Sequence, residues 1–113
     1  MSQMTEPYVR EKFGAAVYGL AMGTASLSER VIDAMVILIM FSPDDMPDAW
    51  TQDRFRELYE RSTSQEPLAD EGSLTVTING MSVDDVQELA RSIVDIESHL
   101  LRRLGKADGQ NPV

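Results

Sequence analysis

Residues 31–41, VIDAMVILIMF, restrict the possible folds more than any other stretch of this chain. Ten of the eleven side chains are apolar, Asp33 being the exception, and Ser42-Pro43 and the aspartates Asp44, Asp45 and Asp48 follow at once. Proline lacks a backbone donor and disfavours helical geometry in the residue before it, so a helix arriving here has to stop. Its start is equally well marked. In S-L-S-E the Ser26 hydroxyl is placed to accept from the Glu29 N–H while the Glu29 carboxylate returns to the Ser26 N–H, a capping box. Glu29, Arg30 and Asp33 form a polar strip along the first turns, but the strip runs out into Ile37 and Met40 and leaves Ala34 to Phe41 apolar all round. A helix of that kind is enclosed by neighbours. Left in water, the ten apolar side chains of the run would forfeit on the order of 15–30 kcal/mol as an upper bound, against a net stability of roughly 5–15 kcal/mol. This second helix is therefore expected at the centre, covered by the other helices or by a second copy of the chain. A membrane span is not expected: the apolar run rises only about 16 Å against a hydrocarbon core of roughly 30 Å, and extending it backwards meets Ser28, Glu29 and Arg30.

The surroundings supply helices to cover it. From Glu6 to about Met22, Val9, Phe13, Ala16, Val17, Leu20 and Ala21 share one helical face, with Thr5 as cap and Pro7 in the tolerant first turn. Gly14 and Gly19 lie inside this helix, where each costs up to about 1 kcal/mol relative to alanine, and close approach of another helix backbone is the expected compensation. Gly23 reads as the stop. A third helix is expected after Asp45, with Pro47 and Asp48 in its first turn, running to about Arg61. Phe55, Leu58 and Tyr59 form its apolar face, Trp50 and Met46 sit at its mouth, and Glu57 and Arg61 stand in the favourable i,i+4 order. Residues 62–72 read as a linker. Leu74, Val76 and Ile78 alternate as in a strand, yet Leu74, Ile78 and Met81 also fit a helix, so residues 73–79 are either a strand needing a partner or a helical turn. The helical turn is favoured because no other strand candidate exists. A last helix, from about Val83 to Leu104, is capped by Ser82 and stopped by Gly105. Val86, Leu89, Ile93, Ile96 and Leu100 form its core stripe, which Val83, Ala90, Leu101 and Leu104 are expected to widen. The expectation is an all-α, compact four-helix single domain over residues 1–105, with a disordered tail at 106–113.

Charge and composition exclude several functions. The chain of 113 residues has a formal charge of −9, and residues 44–88 hold twelve acids against three bases, while the remaining acids and bases cancel. That balance disfavours direct binding to nucleic acid and permits a basic partner. With no cysteine and a single histidine, disulfides and the usual zinc ligand sets cannot be built. No cofactor motif is present: there is no P-loop and no G-x-G-x-x-G. The beginning, MSQMTEPYVREK, lacks the basic flank and apolar core of a secretory signal, so a cytoplasmic location is expected.

Two constellations carry possible chemistry. Asp44, Asp45 and Asp48 match D-D-x-x-D, by which some helical enzymes hold magnesium on a diphosphate, but at a helix start the same acids cap N–H groups and answer the dipole. Capping is the preferred reading, and a magnesium-dependent enzyme the alternative. His99, with Asp95 one turn before it, is placed for a surface ion pair. The successive stretches SLSERVIDAM, SPDDMPDAW and DEGSLTVTINGMSVDDVQELARSIVDIE, within residues 13–100, resemble small uncharacterised bacterial proteins that are all-helical. The resemblance implies an accessory protein and supplies no activity.

These readings converge on a non-catalytic, acidic accessory or regulatory protein acting through protein–protein contact. Self-association into a homo-oligomer is expected, and Met46, Trp50, Tyr59, Asp44, Asp48, Asp53 and Glu57 are the candidate contacts. The alternative is an inhibitor of the type found in phages and mobile elements, whose acidic face imitates nucleic acid.

Overall fold

The computed structural model describes residues 5–65 and 71–109. Among these residues five α-helices make up the fold: α1 (Glu6–Met22), α2 (Leu27–Leu38), α3 (Ala49–Ser62), α4 (Glu71–Asn79) and α5 (Val83–Gly109), with a 3-10 turn at Pro43–Asp45 between α2 and α3. No strand occurs among the described residues. The all-α expectation holds, and the helix count rises from four to five because residues 73–79 lie in a helix of their own.

Burial explains why α4 is helical in spite of its β-branched residues. Leu74 and Ile78, four residues apart, are fully buried, whereas Val76 is exposed, which is the helical and not the alternating pattern. Ser73 and Thr77, also one turn apart, are buried and tie α4 to the end of α3: the Ser73 hydroxyl donates to the Thr63 carbonyl at 2.8 Å, and the Thr77 hydroxyl accepts from the Gln65 N–H at 3.0 Å. Tertiary contacts have overridden a weak local propensity.

α2 packs against α1, α4 and α5, and α5 packs against α1, α2 and α3, so the two share the centre. Val31, Ala34, Met35, Leu38 and Phe41 are buried, while Ile32, Val36, Ile37 and Ile39 are half-buried and Met40 is exposed. The enclosure expected for Ala34 to Phe41 is thus incomplete. The helices form a slab of 49 × 34 × 18 Å, thin enough that one side of α2 comes close to solvent. The helix itself ends at Leu38, before Pro43 can enforce a stop.

Both boundaries of α1 fall where expected, with the Thr5 hydroxyl accepting from the Tyr8 N–H at 3.4 Å. Gly14 and Gly19 depart from expectation: nothing lies within 4 Å of a Cβ built on either, so no helix backbone approaches them. The crowded glycine is Gly23, whose Cβ would meet the Gly19 carbonyl oxygen at 2.8 Å and Arg30 Cδ at 2.9 Å. Arg30 lies along this turn and donates to the carbonyls of Leu20 at 2.6 Å and Ala25 at 3.0 Å, closing the C-terminal end of α1 with a cation.

α3 begins after Asp48, which is its N-cap and not a member of its first turn. Along α5, Val86, Leu89, Ile93, Ile96 and Leu100 are buried as the spacing requires. Two features of this helix differ from expectation. It runs through Gly105 to Gly109, so residues 106–109 are helical, and residues 110–113 of the expected tail lie outside the described residues. And Val83, Leu101 and Leu104 do not widen the core but stand exposed.

Candidate interaction site

Asp48 joins three helices at one point. As N-cap of α3 its Oδ1 accepts from the Thr51 N–H at 2.8 Å and the Thr51 hydroxyl at 2.6 Å. Its Oδ2 faces α5, where His99 Nε2 lies at 2.8 Å and Arg103 Nη1 at 3.1 Å. Arg103 turns the rest of its fork to α1, with Nε 2.9 Å from Glu6 Oε2 and Nη2 3.1 Å from Glu6 Oε1. The planar guanidinium suits this two-point grip on a carboxylate. His99 and Arg103 are one turn apart on α5, which allows both to reach the same carboxylate.

The two carboxyls are kept ionised. Burial pushes the Asp48 carboxyl up, but the hydrogen bonds from the Thr51 side chain, His99 and the Thr51 N–H, together with the His99 charge, outweigh burial and hold it well below the usual carboxylate range. The hydrogen bonds from Arg103 lower Glu6, against a smaller effect of burial. An ionised Asp48 can only accept, so His99 donates from Nε2.

Trp50 lies over this network. Its ring centroid is 4.4 Å from that of His99, tilted by 34°, and the Arg54 guanidinium lies 5.0 Å from its centroid. The indole is held by an imidazole and a guanidinium and is nevertheless 37% exposed. Cation–π contact of this kind contributes about 0.5–1 kcal/mol at a site open to water.

The other expected contact residues are dispersed in their roles. Met46 is 3% exposed and belongs to the core, which removes its side chain from any contact surface. Tyr59 is half-buried, edge-on to Phe55 with ring centroids 6.1 Å apart. Asp44 is exposed within the 3-10 turn, and Asp53 is exposed and paired with Arg56 at 2.9 Å. Glu57 is exposed; its expected partner Arg61 instead turns to α5, 3.6 Å from Glu88 and 4.0 Å from Asp85.

Two of the D-D-x-x-D acids, Asp45 and Asp48, act as caps. Asp45 Oδ2 accepts from the Ser42 N–H at 2.8 Å, and Asp48 caps α3. No group of three potential metal ligands occurs among the described residues. A cleft of about 610 Å³ lies between the end of α3, α4 and the start of α5, and no function is assigned to it.

Glu6, His99 and Arg103 are absent from the contact set expected from sequence. The one signal for them was the i,i+4 spacing of His99 and Arg103; nothing local ties either to Asp48, 51 and 55 residues away. Compared with protein-family models, with curated proteins and with solved structures, the chain finds no match.

Proposed function

We propose that this protein is a non-catalytic accessory or regulatory subunit that binds a protein partner through the surface centred on Trp50. The observation that carries the reading is an indole fixed between His99 and Arg54 yet still in contact with solvent. Ordering side chains is one of the costs of association, and an indole already immobilised has less freedom to lose. Trp and Arg are also the residue types that most often dominate interface energies. Asp44, Asp53 and Glu57 add exposed negative charge on the same stretch of chain, which suits a partner presenting an apolar pocket rimmed by Lys or Arg. Asp48 then acts as a positioning residue, holding His99 beneath the indole.

The nucleic-acid mimic is the weaker reading, because Arg54, Arg56 and Arg61 are interleaved with Asp53, Glu57 and Glu60 along α3 and break the run of charge such imitation needs. A magnesium enzyme is weaker still, since Asp45 and Asp48 are engaged in capping.

The test is affinity capture from the native host with the wild-type chain and with Trp50→Ala. The wild type retains a defined protein, and Trp50→Ala retains at least about tenfold less of it with an unchanged circular dichroism spectrum. Equal recovery by the two chains removes this reading.

A further inference from the structure

α5 carries a second apolar stripe that the fold leaves uncovered. Val83 is 70% exposed, Val94 40% and Leu101 46%, and Ala90 between them is half-buried. These four lie on one face of the helix, beside the core stripe of Val86, Leu89, Ile93, Ile96 and Leu100. Next to the stripe, Val17 and Ala21 of α1 and Leu27 of α2 extend the apolar floor of a shallow groove of about 390 Å³.

One edge of the stripe is lined by Asp84, Arg91, Asp95 and Arg102. All four are exposed, and none is in an ion pair among the described residues. Their spacing is 7, 4 and 7 positions, and their signs run negative, positive, negative, positive. The apolar residues Val83, Ala90, Val94 and Leu101 have the same spacing of 7, 4 and 7. Both series therefore coincide with themselves when the helix is reversed, and reversal turns each sign of the charged series into its opposite.

That is the requirement of an isologous two-fold contact, in which residue i meets residue j and j meets i. From this we infer that a second copy of the chain occupies the stripe, with its α5 antiparallel and the two-fold axis passing beside Ala90 to Val94. Val83 then lies opposite the partner's Leu101, and Ala90 opposite the partner's Val94. Along the edge Asp84 comes within reach of the partner's Arg102, and Arg91 of the partner's Asp95. The charged and apolar series are centred one residue apart, which staggers opposed charges by two residues, about 3 Å along the axis, and side chains of this length span it. A parallel two-fold pair would place the two charged edges on opposite sides of the contact and leave all four charges without a partner across it. The stripe also lies largely outside residues 44–88, where the excess negative charge would oppose association. This assignment stands independently of the Trp50 reading.

Sedimentation equilibrium of the full chain tests it. The wild type gives twice the 12.6 kDa chain mass at about 100 µM and dissociates on dilution. Val94→Asp gives the single-chain mass at the same concentration with unchanged circular dichroism. Arg91→Asp and Asp95→Arg alone each weaken the dimer at least about tenfold, and the double variant regains most of the loss, since the pair is restored with its signs exchanged. Trp50→Ala leaves the mass unchanged. The inference is overturned by a wild type that stays monomeric up to about 500 µM, by a dimer indifferent to Val94→Asp, or by a folded double variant that fails to recover.

Discussion

Two glycines within α1 and the one that follows it stand in different surroundings, and the difference is measurable. Gly14 and Gly19 have helical neighbours and empty space where a Cβ would go. Alanine at either position therefore reduces the freedom of the unfolded chain and clashes with nothing; Gly14→Ala and Gly19→Ala are each expected to stabilise by about 0.5–1 kcal/mol in urea unfolding. Gly23→Ala is expected to destabilise by about 1–2 kcal/mol, because the Cβ meets a backbone carbonyl and the Arg30 stem at once. Arg30→Met, which keeps the stem and removes the donors to Leu20 and Ala25, is expected to lose about 1 kcal/mol. An unstable Gly19→Ala would place a neighbour where the structure has none. At this scale the sequence was half legible. A glycine inside a helix is visible at once, but whether it relieves crowding depends on a side chain seven residues away, and here the crowded one is the glycine that looked like a simple stop. Gly23 ends α1 in an extended conformation, φ −65° and ψ 148°, so its lack of a side chain serves the packing of Arg30 and not a left-handed turn.

At the scale of elements, the junction of α1, α3 and α5 is electrostatic, and its pH dependence has a definite sign. Asp48 and Glu6 both have carboxyls held below their ordinary values of 3.8 and 4.5. A depressed carboxyl binds protons more weakly in the folded than in the unfolded chain, so its stabilisation is fully present above those ordinary values and is lost as pH falls below them. Thermal unfolding should therefore show Tm falling steeply from about pH 5 to pH 2.5. Asp48→Asn keeps a competent N-cap for α3 but gives up the charge facing His99 and Arg103, and is expected to cost roughly 1–2 kcal/mol at pH 7. The gap between wild type and Asp48→Asn should narrow below pH 4, where the unfolded wild-type chain takes up the proton that the folded one excludes; a gap constant down to pH 2.5 would mean that the ion pairs do not carry the junction. The elements themselves were largely legible: Thr5, Ser26 and Ser82 each accept from a backbone N–H three residues on, and most of the core stripes of α1, α3 and α5 are buried, with Val17 and Tyr59 half-buried and Ala21 exposed. The junction was not. Sequence spacing offers His99 only Asp95, one turn away, whereas its partner is brought from the start of another helix, and local periodicity carries no information about such a pairing. The same limit left residues 73–79 open, since Ser73 and Thr77 are held on one buried side by the carbonyl of Thr63 and the N–H of Gln65, which sequence spacing does not show.

At the scale of the whole molecule, the thin slab explains why apolar content alone overstated enclosure. The run at 31–41 was expected to be wrapped on every side, but a molecule 18 Å thick cannot surround a helix completely, and part of the apolar surface shifts to Met40 and to the second stripe of α5. The two surfaces that emerge lie on opposite sides of the same helix. His99, which supports Trp50, is roughly 140–160° around α5 from Val94 and Leu101. Its side is tied to α1 and α3 by Asp48 and Arg103, while the stripe runs between exposed charges on one edge and the shallow groove and core stripe on the other. A substitution on one side should therefore leave the other intact, since no shared partner couples them. Trp50→Ala is expected to abolish partner capture and keep the dimer; Val94→Asp is expected to keep partner capture and abolish the dimer; the double variant is expected to lose both without further change in Tm. Sedimentation and capture measured on the same preparations decide the matter. If Val94→Asp also lost the partner, recognition would have to be bivalent: two Trp50 sites, brought to a fixed separation by the two-fold axis, would bind together what neither holds alone.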